Sequence, residues 1–205
     1  MKAEKALGPD GLPAKYYKTL INQISPVLGE VMNNILREGK IPNTWKEAYV
    51  ILIPKKEVDT MEVKNYRPIS LLNNDYKLFA DIMAERLKKV LINKIHGDQT
   101  GFLPGRQSRD NVRNLIDIIE YLDMKIDRKA ALVFIDAEKA FDNVSWNFLK
   151  KALERMGIGE KFRRGIEAIY KEQKAKLVIN NNTTEYFNIY KGTRQGCPCP
   201  PYYLL

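Results

Sequence analysis

The sequence predicts an α+β fold, with helices and strands mixed and no regular strand–helix alternation of the parallel-sheet kind. Three observations carry this. Apolar residues recur at helical spacing in several long stretches. Between them lie two continuous apolar runs of strand length, Tyr49–Ile53 and Ala130–Ile135. Finally, 44% of the 205 residues are hydrophobic and 29% charged, a balance that supports a sizeable core and excludes a disordered chain.

Taken in order, Gly8-Pro9-Asp10-Gly11 is a turn signal. Tyr16, Leu20 and Ile24 share one helix face. Ser25-Pro26 reads as an N-cap and first helical residue, with Val27, Leu28, Val31, Ile35 and Leu36 following and Gly39 as the stop. Tyr49–Ile53 reads as a buried strand ended by Pro54. A loop with Lys55, Lys56 and Lys64 leads to Asn65–Leu71, where Pro68 favours extended backbone before it. Leu78, Ile82, Met83, Leu87, Val90 and Leu91 mark a long amphipathic helix whose other face carries Lys77, Arg86, Lys88 and Lys89. His96, beside Gly97, reads as a cap at its C-terminal end.

The turn-rich segment Gly101–Arg106 precedes a helix with Val112, Leu115, Ile116, Ile119 and Leu122 on one side, a stripe that reads as core. Ala130–Ile135 reads as a second buried strand, ending at Asp136. A helix over Val144–Met156, stopped by Gly157, and another carrying Phe162, Ile166, Ile169 and Tyr170 come next. Lys176–Asn180 and Thr184–Tyr190 form a hairpin around Asn181-Asn182, and Gly192–Pro198 is a loop.

Lys and Arg outnumber Asp and Glu by 34 to 25, a net charge of +9. Such an excess suits a polyanionic partner such as nucleic acid, and equally a basic solvated surface. The charge leaves both open. Cys197 and Cys199 stand too close together for an easy disulfide, and two thiols alone do not make a zinc site. A reducing, intracellular setting is the expectation. Met1–Asp10 has no secretory character and no apolar run reaches membrane-spanning length, so no membrane partner is expected.

The strand ending at Asp136 carries the most chemistry. Asp136, Glu138 and Asp142 follow a buried strand end within a few residues, and carboxylates that close repel one another unless neutralised. Magnesium binds carboxylate and phosphate oxygens together, which makes it the natural neutraliser. The competing reading is that Glu138 and Asp142 simply occupy the first turn of a helix, where acids favour the dipole.

Phe134–Asp142 resembles the first palm motif of reverse transcriptases, an Asp followed by four residues, an aromatic and a second Asp. Gly8–Gly11, Ile51–Lys55, Asn65–Leu72, Asp98–Phe102 and Gly192–Pro198 resemble further motifs of the same family, in that family's order. The likeness is to the LINE-type, non-LTR retrotransposon enzymes. It implies a fingers-like region over residues 1–128 and a partial palm over 129–205 of a right-hand polymerase. The resemblance implies Asp136 as the catalytic metal ligand, with the Ala137 carbonyl beside it, for Mg2+ or Mn2+. By the same likeness Phe141 falls at a steric gate against the ribose 2′ hydroxyl, and Arg67 contacts the incoming triphosphate. Lys55 is a second candidate there, competing with Lys56 and Lys64. Gln195 and Gly196 match the loop under the nucleotide sugar and templating base. Gln99, Phe102 and Arg106 are candidates to hold the template, or else members of a turn built on Gly101 and Gly105.

The implied partners are an RNA template, a DNA primer and deoxynucleoside triphosphates, in the nucleus or cytoplasm. The sequence departs from the family after Gln195, where Cys197–Tyr203 with Pro200-Pro201 replaces a helix-opening stretch. The family's Asp-Asp hairpin does not occur before Leu205, so the isolated chain is expected to be inactive. Two rivals remain at this point: a non-catalytic domesticated remnant that binds nucleic acid or protein, and an unrelated magnesium-dependent phosphotransferase built around Asp136.

Overall fold

A computed structural model describes residues 6–57, 59–125 and 129–197. The expectations on Cys199 and Pro200-Pro201 lie outside them. Helices α1 (Ala14–Thr19) and α2 (Ile21–Glu38) come first, after the predicted turn, in which the Gly11 amide donates to the Gly8 carbonyl at 3.0 Å. The Ser25-Pro26 expectation is corrected here. Helix α2 starts more than a turn earlier and holds Pro26 in its interior. Pro26 has no amide to donate to the Asn22 carbonyl, but Asn22 and Pro26 are both exposed, so solvent can satisfy that carbonyl. Val27, expected on the inner face, is 63% exposed. Gly39 ends the helix as predicted, in the left-handed region, its amide donating to the Ile35 carbonyl at 2.8 Å.

The sheet combines five strands: β1 (Glu47–Pro54), β2 (Tyr66–Leu71), β3 (Lys174–Ile179), β4 (Asn182–Thr183) and β5 (Phe187–Asn188). The order is β2-β1-β3-β4, with β5 also pairing β3. Strand β2 is antiparallel to β1, whereas β3 runs parallel to it, with Ala48 beside Ala175. The hairpin turns at Asn180 and Asn181, one residue before the expected Asn181-Asn182, both at positive φ, which Asn tolerates better than most residues, and its return side is the two short strands β4 and β5 rather than one. Strand β1 is less buried than its apolar run suggests. Ala48 is fully buried and Tyr49–Leu52 are half-buried, whereas Ile53 and Pro54 at the strand end are exposed, Ile53 to 45%.

Helix α3 (Asn74–Leu91) forms the spine of the core. Its buried face is Tyr76, Phe79, Ala80, Met83, Ala84, Leu87 and Leu91, rotated from the predicted stripe, so that Ile82 and Val90 are exposed. Two aromatics and two alanines join Met83, Leu87 and Leu91 on the packing side. The Trp45 ring meets Tyr76 and Phe79 at centroid distances of 6.0 and 5.7 Å. Onto this cluster pack α6 (Trp146–Arg155) and α7 (Glu160–Tyr170), burying Leu149, Leu153, Ile166 and Ile169. Each fully buried side chain of this size contributes roughly 1.5–3 kcal/mol.

Two expectations of burial are overturned. Helix α4 (Ser108–Asp123) has the predicted span, yet none of its residues is buried, and Val112, Ile116 and Ile119 are exposed. The run Ala130–Ile135 does not form a strand: Val133, Phe134 and Ile135 are 77%, 79% and 90% exposed. A strand exists only by pairing, and no strand partner lies beside this run among the described residues. His96 does not cap α3 either. It sits beyond Leu91 and its Nδ1 accepts from the Asp98 amide at 3.3 Å.

Candidate active site

The site is built where three segments distant in sequence meet: β2, the short helix α5 (Ala140–Asn143) and the loop 192–197. Lys139, at φ 48°, starts α5, and its carbonyl accepts from the Asp142 and Asn143 amides at 2.9 and 3.1 Å. The loop then docks on α5 main chain to main chain. The Thr193 amide donates to the Phe141 carbonyl and the Gly192 amide to the Val144 carbonyl, both at 2.8 Å. The Trp146 indole donates to the Gly192 carbonyl at 2.8 Å, fixing the same corner from α6.

Both glycines of the loop are required by space and by backbone. Gly192 has φ +79°, and a Cβ there would lie 2.5 Å from the Asp142 carbonyl oxygen. Gly196 has φ +114°, and its Cβ would fall 2.7 Å from the Ser70 carbonyl oxygen. From the other side the Ser70 amide donates to the Gln195 carbonyl at 2.8 Å, so the free edge of β2 holds the loop. The Gln195 side-chain Nε2 donates to Asp142 Oδ1 at 3.4 Å. A pocket of about 150 Å3 opens at this junction, lined by Pro68, Ser70, Asp142, Lys191 and Gln195.

Arg194 secures the loop from below, and sequence reasoning misses it. It is only 4% exposed. Its guanidinium donates to the carbonyls of Trp45 (3.2 Å), Lys174 (3.4 Å) and Lys46, and lies 5.8 Å from the Tyr76 ring centroid. Burial lowers its pKa from the ordinary arginine value, with Tyr76 and Cys197 acting against that shift. A lone arginine in a glycine-bounded loop gives no sequence sign of being buried rather than facing a ligand. Only the carbonyl cage tells the two apart.

The other predicted residues divide between this junction and places apart from it. Phe141 and Phe102 come together, their rings edge to face at 6.2 Å. Phe102 is 58% exposed and adopts φ 62°. Arg67 is exposed on β2, and strand alternation puts it on the face opposite Pro68 and Ser70. Lys55 closes the loop before β2, its Nζ donating to the Lys64 carbonyl at 2.9 Å. Arg106 gives its guanidinium to the carbonyls of Gln99 (2.7 Å), Ile95 (3.1 Å), Ile92 (3.4 Å) and His96, which is the turn arrangement the sequence leaves open beside template holding.

Asp136 is exposed at the end of the unpaired run, with Ala137 beside it. Glu138 is exposed and lies 3.7 Å from Lys139 Nζ. Among the described residues, no three His, Cys, Asp or Glu side chains are gathered as a metal site. Nor, among those residues, is any helix long and apolar enough to cross a membrane.

Residues 53–204 match the family described as reverse transcriptase (RNA-dependent DNA polymerase). The chain belongs to this family. It is 33% identical over 198 residues to the Transposon TX1 uncharacterized 149 kDa protein of Xenopus laevis, covering 97% of this chain and 15% of that protein. It is 28% identical over 200 residues to the Retrovirus-related Pol polyprotein from type-1 retrotransposable element R2 of Nasonia vitripennis, covering 96% and 18%. The Probable RNA-directed DNA polymerase from transposon BS of Drosophila melanogaster is 28% identical over 198 residues, 95% of this chain and 21% of that one. The chain thus spans less than a quarter of the length of these relatives, all of them proteins of transposable elements. Within this reverse transcriptase chain, the corner where α5, β2 and the Gly192–Cys197 loop meet joins Ser70 to Gln195 and Phe141 to Thr193. These motifs stand far apart in sequence and meet only through tertiary contact.

Proposed function

We propose that this chain is the nucleotide-handling part of an RNA-directed DNA polymerase of a non-LTR retrotransposon, one that extends a DNA primer on an RNA template with deoxynucleoside triphosphates. The observation that carries the reading is the docking of the Gly192–Cys197 loop on α5 and β2, within a stretch matched to the reverse transcriptase family from 53 to 204. That docking gathers Phe141, Gln195 and Gly196 at one corner, residues of two motifs that share one ligand in this reading. The net charge of +9 suits the polyanionic template, primer and nucleotide.

In this reading residues 1–128 serve as fingers and 129–205 as part of the palm. Arg67, with Lys55 as a weaker second, meets the triphosphate oxygens, where a positioned cation supplies most of what a protein adds to phosphoryl-type transfer. The Phe141 ring excludes a 2′ hydroxyl, and Gln195 and Gly196 pack under the sugar and base. Phe102 and Gln99 face the template, while Arg106 holds the turn that presents them. Asp136 and the Ala137 carbonyl offer hard oxygen donors of the kind magnesium prefers, and the exposed Asp136 carboxylate is open to a ligand. When two Mg2+ or Mn2+ ions are bound, Asp136 and the Ala137 carbonyl would hold part of their coordination, and the ions would supply two effects, one a lowered pKa of the primer 3′ hydroxyl and the other a brace for the leaving pyrophosphate. As a retrotransposon product, the protein works in the nucleus and cytoplasm.

The test is primer extension on an RNA template by a polymerase that carries this chain, compared with its Asp136→Ala variant. Loss of extension with retained folding supports the reading. Undiminished extension by the variant removes Asp136 from the chemistry and with it the proposed role of the site.

A further inference from the structure

Gln195 is held at two points. Its carbonyl accepts from the Ser70 amide at 2.8 Å, and its side-chain Nε2 donates to Asp142 Oδ1 at 3.4 Å. Asp142 is itself fixed from both sides. Its amide donates to the Lys139 carbonyl at 2.9 Å, and its own carbonyl lies under Gly192, where a Cβ would come within 2.5 Å. Both side chains line the pocket of about 150 Å3 beside Pro68 and Ser70.

The chemistry of the pair is directional. A side-chain amide has a donating end and an accepting end and can present either by rotating half a turn, whereas a carboxylate only accepts. Asp142 therefore selects the orientation in which the Gln195 NH2 group turns toward it and the Gln195 oxygen turns away. We propose that Asp142 is a positioning residue, which fixes the side-chain orientation of Gln195 so that the glutamine meets the incoming nucleotide with its oxygen rather than its NH2 group. The inference rests on the proposed nucleotide site and gives the second aspartate of the Asp136–Asp142 motif a task separate from metal binding.

The experiment is a double-variant cycle in a primer-extending polymerase that carries this chain, with apparent KM and kcat for deoxynucleotides measured separately. Gln195→Ala is expected to raise KM about tenfold, and Asp142→Ala about fivefold, as suits the loss of one hydrogen bond. The Asp142→Ala/Gln195→Ala protein should match Gln195→Ala alone, since the aspartate acts only through the glutamine. Asp142→Asn keeps the size and an accepting oxygen, so it should fall between wild type and Asp142→Ala while melting at the wild-type temperature. Effects that multiply in the double variant overturn the proposal, as does an Asp142→Ala protein with unchanged KM while Gln195→Ala is impaired. Unchanged KM in Gln195→Ala overturns the nucleotide site itself, and the positioning role with it.

Discussion

The ring of Phe102 meets the ring of Phe141 edge to face, with centroids 6.2 Å apart and planes at 87°. This contact joins the loop after α3 to the start of α5, two segments that the sequence separates by a whole helix and an extended run. It also gives the proposed sugar gate a wall to lean on. An aromatic pair of this geometry contributes roughly 0.5–1.5 kcal/mol beyond its buried area.

Phe141→Ala is therefore expected to relax the preference for deoxynucleotides over ribonucleotides in a polymerase that carries this chain. Phe102→Ala should relax it by a smaller factor, because the gate ring loses its support but not its bulk. The ratio of kcat/KM for the two nucleotide classes is the measurement. Unchanged selectivity in a folded Phe141→Ala protein reduces the ring to packing.

Arg67→Ala should raise the apparent nucleotide KM or lower kcat by about tenfold to a hundredfold, the worth of a charge-assisted contact of roughly 1.5–3 kcal/mol. Its exposure on β2 means that folding should not suffer, so the melting temperature serves as the internal control. Lys55→Ala should act more weakly, since its Nζ is already engaged with the Lys64 carbonyl.

Arg194→Met should destabilise the chain by about 3 kcal/mol, because it removes a buried guanidinium that donates to the Trp45, Lys46 and Lys174 carbonyls, the first of these bonds fully buried. Thermal unfolding should show this as a drop in Tm of roughly 6–12 °C for a chain of this size. An unchanged Tm would mean that water replaces the guanidinium at no cost.

Phe134→Ser and Ile135→Thr should leave Tm unchanged and lower concentration-dependent self-association, read by light scattering. Both side chains are largely exposed in an unpaired, apolar segment, the kind of surface that recruits other chains. A fall in Tm would show instead that the segment is buried in the folded chain.

Local chemistry was legible in the sequence wherever a residue's own backbone preference decided the outcome. Gly39 ends α2, the asparagine run makes the turn one residue earlier than read, and α7 spans the stripe that Ile166 and Ile169 announced. Periodicity also found the long helices, but it could not say which face would be covered or by what. Helix α3 turns Tyr76, Phe79 and Ala80 inward because Trp45 stands opposite, and α4 has an equally clear stripe with no residue buried.

The site shows the same division between sequence and structure. The motifs around Asp136, Phe141 and Gln195 could be recognised in the sequence through their resemblance to the reverse transcriptase family, as short strings of residues in a set order. That the loop docks on α5, that Arg194 lies beneath it in a cage of carbonyls, and that Asp142 turns toward Gln195 were decided only by tertiary structure. The physical reason is that hydrogen bonds and close contacts between segments tens of residues apart leave no periodicity in the chain. An apolar run such as Ala130–Ile135 has strand character written in its residues, but it becomes a strand only when another strand lies beside it.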